Sequence, residues 1–252
     1  MNTIVSAFIS DINQKYDGKL HQFYEWGKPL LKSDIPKIIF VDIVMYNMIQ
    51  EEDYNEENTK LIIIDKSFLY MYDYMDQLYN FNLNTNNKLK DTPDFMFMMC
   101  GKTEWLKRAI IYNPFKTDHF IWLDFGLRHV FKCSDDEFTQ KINNMKYKIY
   151  NDIRVGHIWD LNIDYISYCK YDIYKDILWY FAGGVLGGGK DELLKFADLV
   201  KHQCIDIMVN QNTIMWEVNV WYIVYRYNMI KSNTIKFNPY ICDHNDSIID
   251  NY

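Results

Sequence analysis

His119 to Leu127 reads HFIWLDFGL, and the fold class follows from how this stretch is taken. Phe120, Ile121, Trp122 and Leu123 make a continuous apolar run. It is too short for an ordinary helix and rich in the branched and aromatic residues of a strand buried on both faces. Asp124 ends the run, and Gly126 follows. A carboxylate at the C-terminal edge of a buried strand stands where open α/β sheets bind their ligands, in the crevice beyond the strand ends. The competing reading is a strand end whose Asp caps the next turn, a common use of that residue.

Upstream of this strand the pattern alternates. Thr3 to Ile9 (TIVSAFI) reads as a first strand, Lys19 to Lys32 has apolar residues at helical spacing, and Lys37 to Asp42 (KIIFVD) and Lys60 to Asp65 (KLIIID) read as two more strands. This β, α, β order favours a parallel sheet with right-handed crossovers. Ser67 to Asn80 reads as a Tyr-rich helix capped by Ser67, and Asn82 to Asp94 as a surface loop. Phe95 to Asn113 reads as one helix bearing Lys102, Lys107 and Arg108 and ending before Pro114.

Downstream, Ser134 and Glu137 have capping-box spacing, and Ile153 to Trp159 reads as a strand. Helices are predicted over Lys190 to Asn210 and Thr213 to Tyr227, with a short strand from Phe237. Trp179 to Gly189 (WYFAGGVLGGG) holds five of the ten glycines in the chain.

The composition narrows the function classes. With 252 residues, 49% hydrophobic and 24% charged, the chain can bury a sizeable core. Its 21 Tyr, 15 Phe and 7 Trp exceed what a core usually needs, which points to an aromatic-lined cleft. An AT-rich coding sequence would also enrich Tyr, Ile, Asn and Lys. A net charge of −7 argues against a broad nucleic-acid face. Five scattered cysteines, none in a C-x-x-C pair, indicate neither a zinc knuckle nor a disulfide framework, so a reducing compartment is the simplest setting. No signal peptide or eighteen-residue apolar run is visible, and the expected location is cytoplasmic with no membrane span.

Three features carry chemistry. Gly184 to Asp191 (GVLGGGKD) is one residue from the phosphate-cradling G-x-x-x-x-G-K-[ST] loop, but Asp191 replaces the hydroxyl residue that holds Mg²⁺. A nucleotidase or kinase using that loop is therefore one alternative. The other use of these glycines is to admit a bulky polar ligand close to the backbone. Glu217 lies in the apolar stretch IMWEVNVWYIV, where a carboxylate is costly unless it faces a site or pairs with a cation such as Arg226 or Arg154. Asp243, His244, Asn245 and Asp246 form a cluster of hard and borderline ligands suited to Mn²⁺ or Mg²⁺.

Taken together, IVSAF near the start, EWGKPLL, KTEWLKRA, the TDHFIWLDFG strand, FAGGVLGGG, WEVNVW and DHNDSI make the chain resemble the HtrL/YibB (WlaTC-like) family, whose members are taken as glycosyltransferases. The resemblance implies an α/β fold: a GT-A-like single domain over 1–252 with a mixed, mostly parallel central sheet flanked by helices. About 1–130 would be the nucleotide-sugar-binding half, and about 131–252 the acceptor half with a C-terminal metal-site tail.

The implied activity is transfer of a sugar, of hexosyl or N-acetylhexosaminyl type, from a nucleotide diphosphate donor (a UDP-sugar) to a hydroxyl of a glycan or other acceptor. Mn²⁺ or Mg²⁺ would assist, and no nucleic acid is involved. On that resemblance Ser6, Ala7 and Phe8 would meet the nucleobase and ribose, Lys107 and Arg108 the diphosphate, and Gly183 and Gly184 the sugars. Asp124 would be the first acid of a D-x-D element, touching ribose and metal. Gly126 stands where the second acid belongs, so His244 and Asp243 would complete the metal site. Glu217 would be the general base, since a partly desolvated carboxylate is the stronger proton acceptor. An inactive sugar- or nucleotide-binding relative with the same fold is the other alternative, motivated by Gly126.

Overall fold

A computed structural model of the chain describes residues 1–11, 18–77, 83, 85, 87–232 and 234–252. The first half runs β1 (Asn2–Phe8), α1 (Leu20–Lys32), β2 (Lys37–Val41), α2 (Ile43–Met48), β3 (Thr59–Ile63), α3 (Pro93–Cys100), α4 (Lys102–Tyr112) and β4 (His119–Leu123). The second runs α5 (Asp135–Asn144), β5 (Arg154–His157), α6 (Tyr165–Cys169), β6 (Phe181–Gly189), α7 (Lys190–Gln211), α8 (Glu217–Tyr227), β7 (Tyr240–Ile241) and α9 (Ser247–Asp250). The strands form one seven-stranded sheet in the order β3-β2-β1-β4-β6-β5-β7. All neighbours pair in parallel except β6, which runs against both β4 and β5. This is the mixed, mostly parallel α/β sheet expected from the sequence.

The apolar runs are buried on both faces because side chains alternate across a strand. Val5, Ile38, Phe40, Phe120 and Trp122 face a core packed by α3, α4, α7 and α8. Ile4, Ile39, Val41, Ile121 and Leu123 face a second core under α1, α2, α5 and α9. Three layers result, and the C-terminal ends of β1 and β4 open at one edge.

Several local expectations change. The predicted helix from Phe95 to Asn113 is two helices broken at Gly101, where an added Cβ would stand 2.6 Å from a Leu69 methyl and 2.9 Å from the Phe97 carbonyl. Thr92 caps the first by accepting from the Phe95 amide. The Tyr-rich stretch forms 3-10 turns at Lys66–Phe68 and Tyr70–Gln77, capped by Asp65 rather than Ser67. The end of that predicted helix, 78–80, lies outside the described residues, as do 82, 84 and 86 of the predicted loop.

The glycine run is a strand, not a loop. Its small residues make room for what packs against β6: a Cβ at Gly187 would stand 1.9 Å from the Tyr252 hydroxyl, and Gly188 sits at φ +154. Consequently the phosphate-loop reading fails, because Gly184 to Gly189 is extended and paired to β4 along its length. Lys190 then emerges at the N-terminal edge of β4, on Asp118 (2.6 Å), away from the cleft. Among the described residues no helix is long and apolar enough to cross a membrane.

Candidate active site

Beyond the ends of β1 and β4 lies a cavity of about 410 Å³, bounded by Ala7, Phe8, Asp124, Gly183, Glu217 and His244 among others. Its centre is a lysine. Lys102 opens α4, is 1% exposed, and places its Nζ 2.9 Å from Asp124 Oδ1 and 3.0 Å from Glu217 Oε1. A third hydrogen bond, 3.0 Å, goes to the Gly183 carbonyl. The three donors of the ammonium are thus taken by three elements: the end of β4, the middle of β6 and the start of α8.

Each carboxylate is fixed by its chain context. The Asp124 amide donates to the Gly184 carbonyl at 3.0 Å, which extends the β4–β6 ladder one step past the strand. The Trp122 indole, two residues earlier on the buried face, donates to Asp124 Oδ1 at 2.6 Å. Glu217 is the first residue of α8, not an interior one. There the exposed amides and the helix dipole favour a negative charge.

Neither Arg226 nor Arg154 pairs with Glu217; its cationic partner is Lys102. The Glu217 side chain is 6% exposed, and its Oε2 is buried with no hydrogen-bond partner. Asp124, by contrast, keeps 32% of its side chain exposed toward the cavity. Burial pushes the Lys102 ammonium toward losing its proton, but the charges of Asp124 and Glu217 outweigh it and hold the pKa above the ordinary lysine value.

Gly183 serves this triad directly. A Cβ there would lie 2.4 Å from Glu217 Oε1, so the glycine makes room for the carboxylate. At Gly184 the same space is filled by Leu127, 2.7 Å from the hypothetical Cβ. Both glycines line the cavity, yet the room they create is used first by the protein's own side chains.

The wall is aromatic. Phe8 packs on Phe23 and Phe125 with ring centroids 5.2 and 5.5 Å apart, and Trp26 lies 4.8 Å from His129. His244 meets Trp179 edge-on at 5.2 Å. Lys90 stands 4.4 Å over the Trp216 ring. Burial, then the nearness of His129 and Lys90, holds His244 below the ordinary imidazole pKa.

The residues named from the sequence therefore divide. Asp124, Glu217, Ala7, Phe8, Gly183, Gly184 and His244 all line the one cavity. Ser6 does not: it is fully buried in β1 and donates to the Leu123 carbonyl at 2.6 Å. Lys107 pairs with Asp198 of α7 at 2.5 Å, and Arg108 pairs with Glu104 at 3.2 Å and stacks on Phe68 at 3.6 Å. Neither borders the cavity; of the three basic residues on this helix only Lys102, one to two turns earlier, does. Asp243 also lies outside it, exposed, with its amide donating to Ser247 Oγ.

The residues do not fit a divalent cation. Among the described residues no three His, Cys, Asp or Glu side chains are grouped to hold one. Asp124 already receives the Lys102 and Trp122 donors. At Gly126 a Cβ would stand 3.1 Å from the Phe23 ring, so the place of the second acid is crowded by α1.

An open mixed sheet with a polar triad in an aromatic cleft at its carboxyl edge defines an α/β protein whose cleft lies where such sheets usually take their ligands. The family model described as a bacterial protein of unknown function (HtrL_YibB) matches residues 3–230, and the chain belongs to this family. No curated protein matches it. Among solved structures it is similar to mouse xyloside xylosyltransferase 1 in its apo form, with 10% identity, 96% of this chain and 86% of that chain covered, and a TM-score of 0.43.

Proposed function

We propose that the protein is a GT-A-like glycosyltransferase that moves a hexosyl or N-acetylhexosaminyl group from a nucleoside diphosphate donor, a UDP-sugar, to a hydroxyl of a glycan or other acceptor. The observation that carries this reading is the orphaned Glu217 Oε2. A buried carboxylate oxygen without a partner costs free energy unless a ligand donates to it, and Glu217 lines an aromatic-walled cavity of a kind that suits a sugar.

In this reading Glu217 accepts the proton of the attacking hydroxyl. Asp124, partly exposed beside it, takes hydroxyls of the ribose or the donor sugar. Lys102 fixes both acids in place, so the site needs little rearrangement when charge develops. Ala7 and Phe8 border the base and ribose, and Phe23 supports Phe8 from behind.

Thermal-shift measurement across a panel of nucleotide sugars tests this directly, because a ligand of the native state raises the melting temperature by mass action. A UDP-sugar should give a selective shift, and Asp124→Asn should erase it. A panel with no shift, or one unchanged by Asp124→Asn, overturns the assignment. The binding-only relative remains a second reading, motivated by Gly126. Selective binding with no release of UDP in the presence of any acceptor would favour it.

A further inference from the structure

We propose that this site holds and releases its diphosphate without a divalent cation, the leaving group being met by Lys90, His129 and His244. The inference rests on the glycosyltransferase reading above. It starts from the commitment of Asp124. An ion of the Mg²⁺ or Mn²⁺ kind needs about six oxygen ligands, usually including one or two carboxylates with free lone pairs. Here Asp124 Oδ1 already accepts from Trp122 at 2.6 Å and Lys102 at 2.9 Å, and its Oδ2 lies 3.1 Å from the same ammonium.

That ammonium is 1% exposed and tied to Glu217 and the Gly183 carbonyl, so it cannot swing away to admit a metal. A dication bound to Asp124 would share the carboxylate with a fixed positive charge. The position of the second acid is closed as well: Gly126 faces Phe23, and Asp243 is not in the cavity.

One positive charge and two imidazoles are nevertheless supplied, from other elements. Lys90, His129 and His244 all border the cavity. Each is braced by an aromatic ring: Lys90 over Trp216 at 4.4 Å, His129 against Trp26 at 4.8 Å, and His244 against Trp179 at 5.2 Å. His129 Nδ1 donates to the Gly126 carbonyl at 2.5 Å, which fixes the ring, so Nε2 donates to a phosphate oxygen when the ring carries its second proton. Nitrogen donors held in this way suit phosphate oxygens, where charge-assisted hydrogen bonds are strong.

The transfer step then balances without a metal. The bond from the anomeric carbon to the diphosphate oxygen breaks, and its electron pair stays on the UDP that leaves. The acceptor oxygen forms the new bond to that carbon, and its proton passes to Glu217. The charge gained by the departing UDP is met by the Lys90 ammonium, with the His129 and His244 imidazoles as hydrogen-bonding partners beside it.

Isothermal titration of UDP into the wild-type protein, once in EDTA and once in excess Mn²⁺, tests the proposal. The expected Kd in EDTA is within about threefold of that in Mn²⁺, and Lys90→Ala and His129→Ala each weaken binding in EDTA about tenfold. Lys90→Arg should restore most of that loss, and circular dichroism should show each variant folded. Binding that appears only with Mn²⁺ overturns the metal-free inference and leaves the glycosyltransferase reading standing. Binding in EDTA that neither alanine variant weakens overturns the assignment of the basic residues. No UDP binding in either condition overturns the glycosyltransferase reading and the inference with it.

Discussion

Two lysines are buried at opposite ends of the same sheet, and their surroundings differ in one respect. Lys37 begins β2 at the N-terminal edge and is 0% exposed; Lys102 lies beyond the C-terminal edge and is 1% exposed. Lys37 donates to the Ser33 carbonyl (2.7 Å), Asn58 Oδ1 (3.0 Å) and Thr59 Oγ1 (3.1 Å), all neutral. Lys102 has two carboxylates. Burial therefore pulls the Lys37 pKa down from 10.5 to about 7, whereas the anions keep that of Lys102 above the ordinary value.

The difference teaches what each end is for. At the N-terminal edge a lysine is a clip between a helix end and a strand, and it is tolerated because it can shed its charge. At the carboxyl edge the charge is required, because two acids depend on it. A buried ion triad is weak support for stability, so the ligand contact proposed for Glu217 accounts for it better than packing does.

The sharpest way to break this contrast is Lys102→Met. It leaves Glu217 buried and uncompensated beside Asp124, and unfolding free energy should fall by about 3–5 kcal/mol, read from urea midpoints. A loss no larger than that of an exposed lysine would show that the triad is not formed.

Gly183→Ala comes next. Its methyl would stand 2.4 Å from Glu217 Oε1, so it should displace the carboxylate, cost about 1–3 kcal/mol and lower transfer activity more than tenfold. A steady-state assay of UDP release checks this.

Lys37→Met should cost less, about 1–2 kcal/mol at pH 7, since it strands three neutral acceptors but also removes a desolvated charge. Its pH dependence sharpens the comparison. Between pH 7 and 10.5 the unfolded chain keeps a proton on Lys37 that the folded chain has lost, so wild-type stability gains on Lys37→Met as pH rises through that window. Lys102 behaves oppositely. Its contribution is complete below the ordinary lysine value and is lost only as pH rises through its higher folded value, so it adds no slope between pH 7 and 10.

The smallest effect belongs to Lys107→Ala and Arg108→Ala. Their partners are Asp198, Glu104 and Phe68 on the outside of α4, so UDP binding should stay within about twofold and stability within about 1 kcal/mol. Titration and urea melts of the two variants check both.

The parallel half of the sheet was legible because β1 to β4 are continuous apolar runs, whereas β6 was not, its five glycines giving no apolar run to read. Asp124 and Glu217 could be found in the same way, as acids in apolar company. Lys102 was harder. It follows the apolar run FMFMMCG, which is the same signal, but reading 95–113 as one helix hid the break at Gly101 that places it at a helix start. Lys107 and Arg108 drew attention as a basic pair. At about 100° per residue they are turned roughly 140° and 240° from Lys102 around α4, onto other faces. His129 follows Asp124 on the turn after β4, with no pattern to mark it, and Lys90 is brought to the cavity from a separate loop.

The central claim is that the Lys102, Asp124 and Glu217 triad faces a bound nucleotide sugar. A crystal structure with UDP-sugar bound tests it most directly. It should show the diphosphate inside the cavity beyond Asp124, with a sugar or acceptor hydroxyl about 2.6–3.2 Å from Glu217 Oε2. A nucleotide seated elsewhere on the protein, with Glu217 Oε2 still unpartnered, would contradict it.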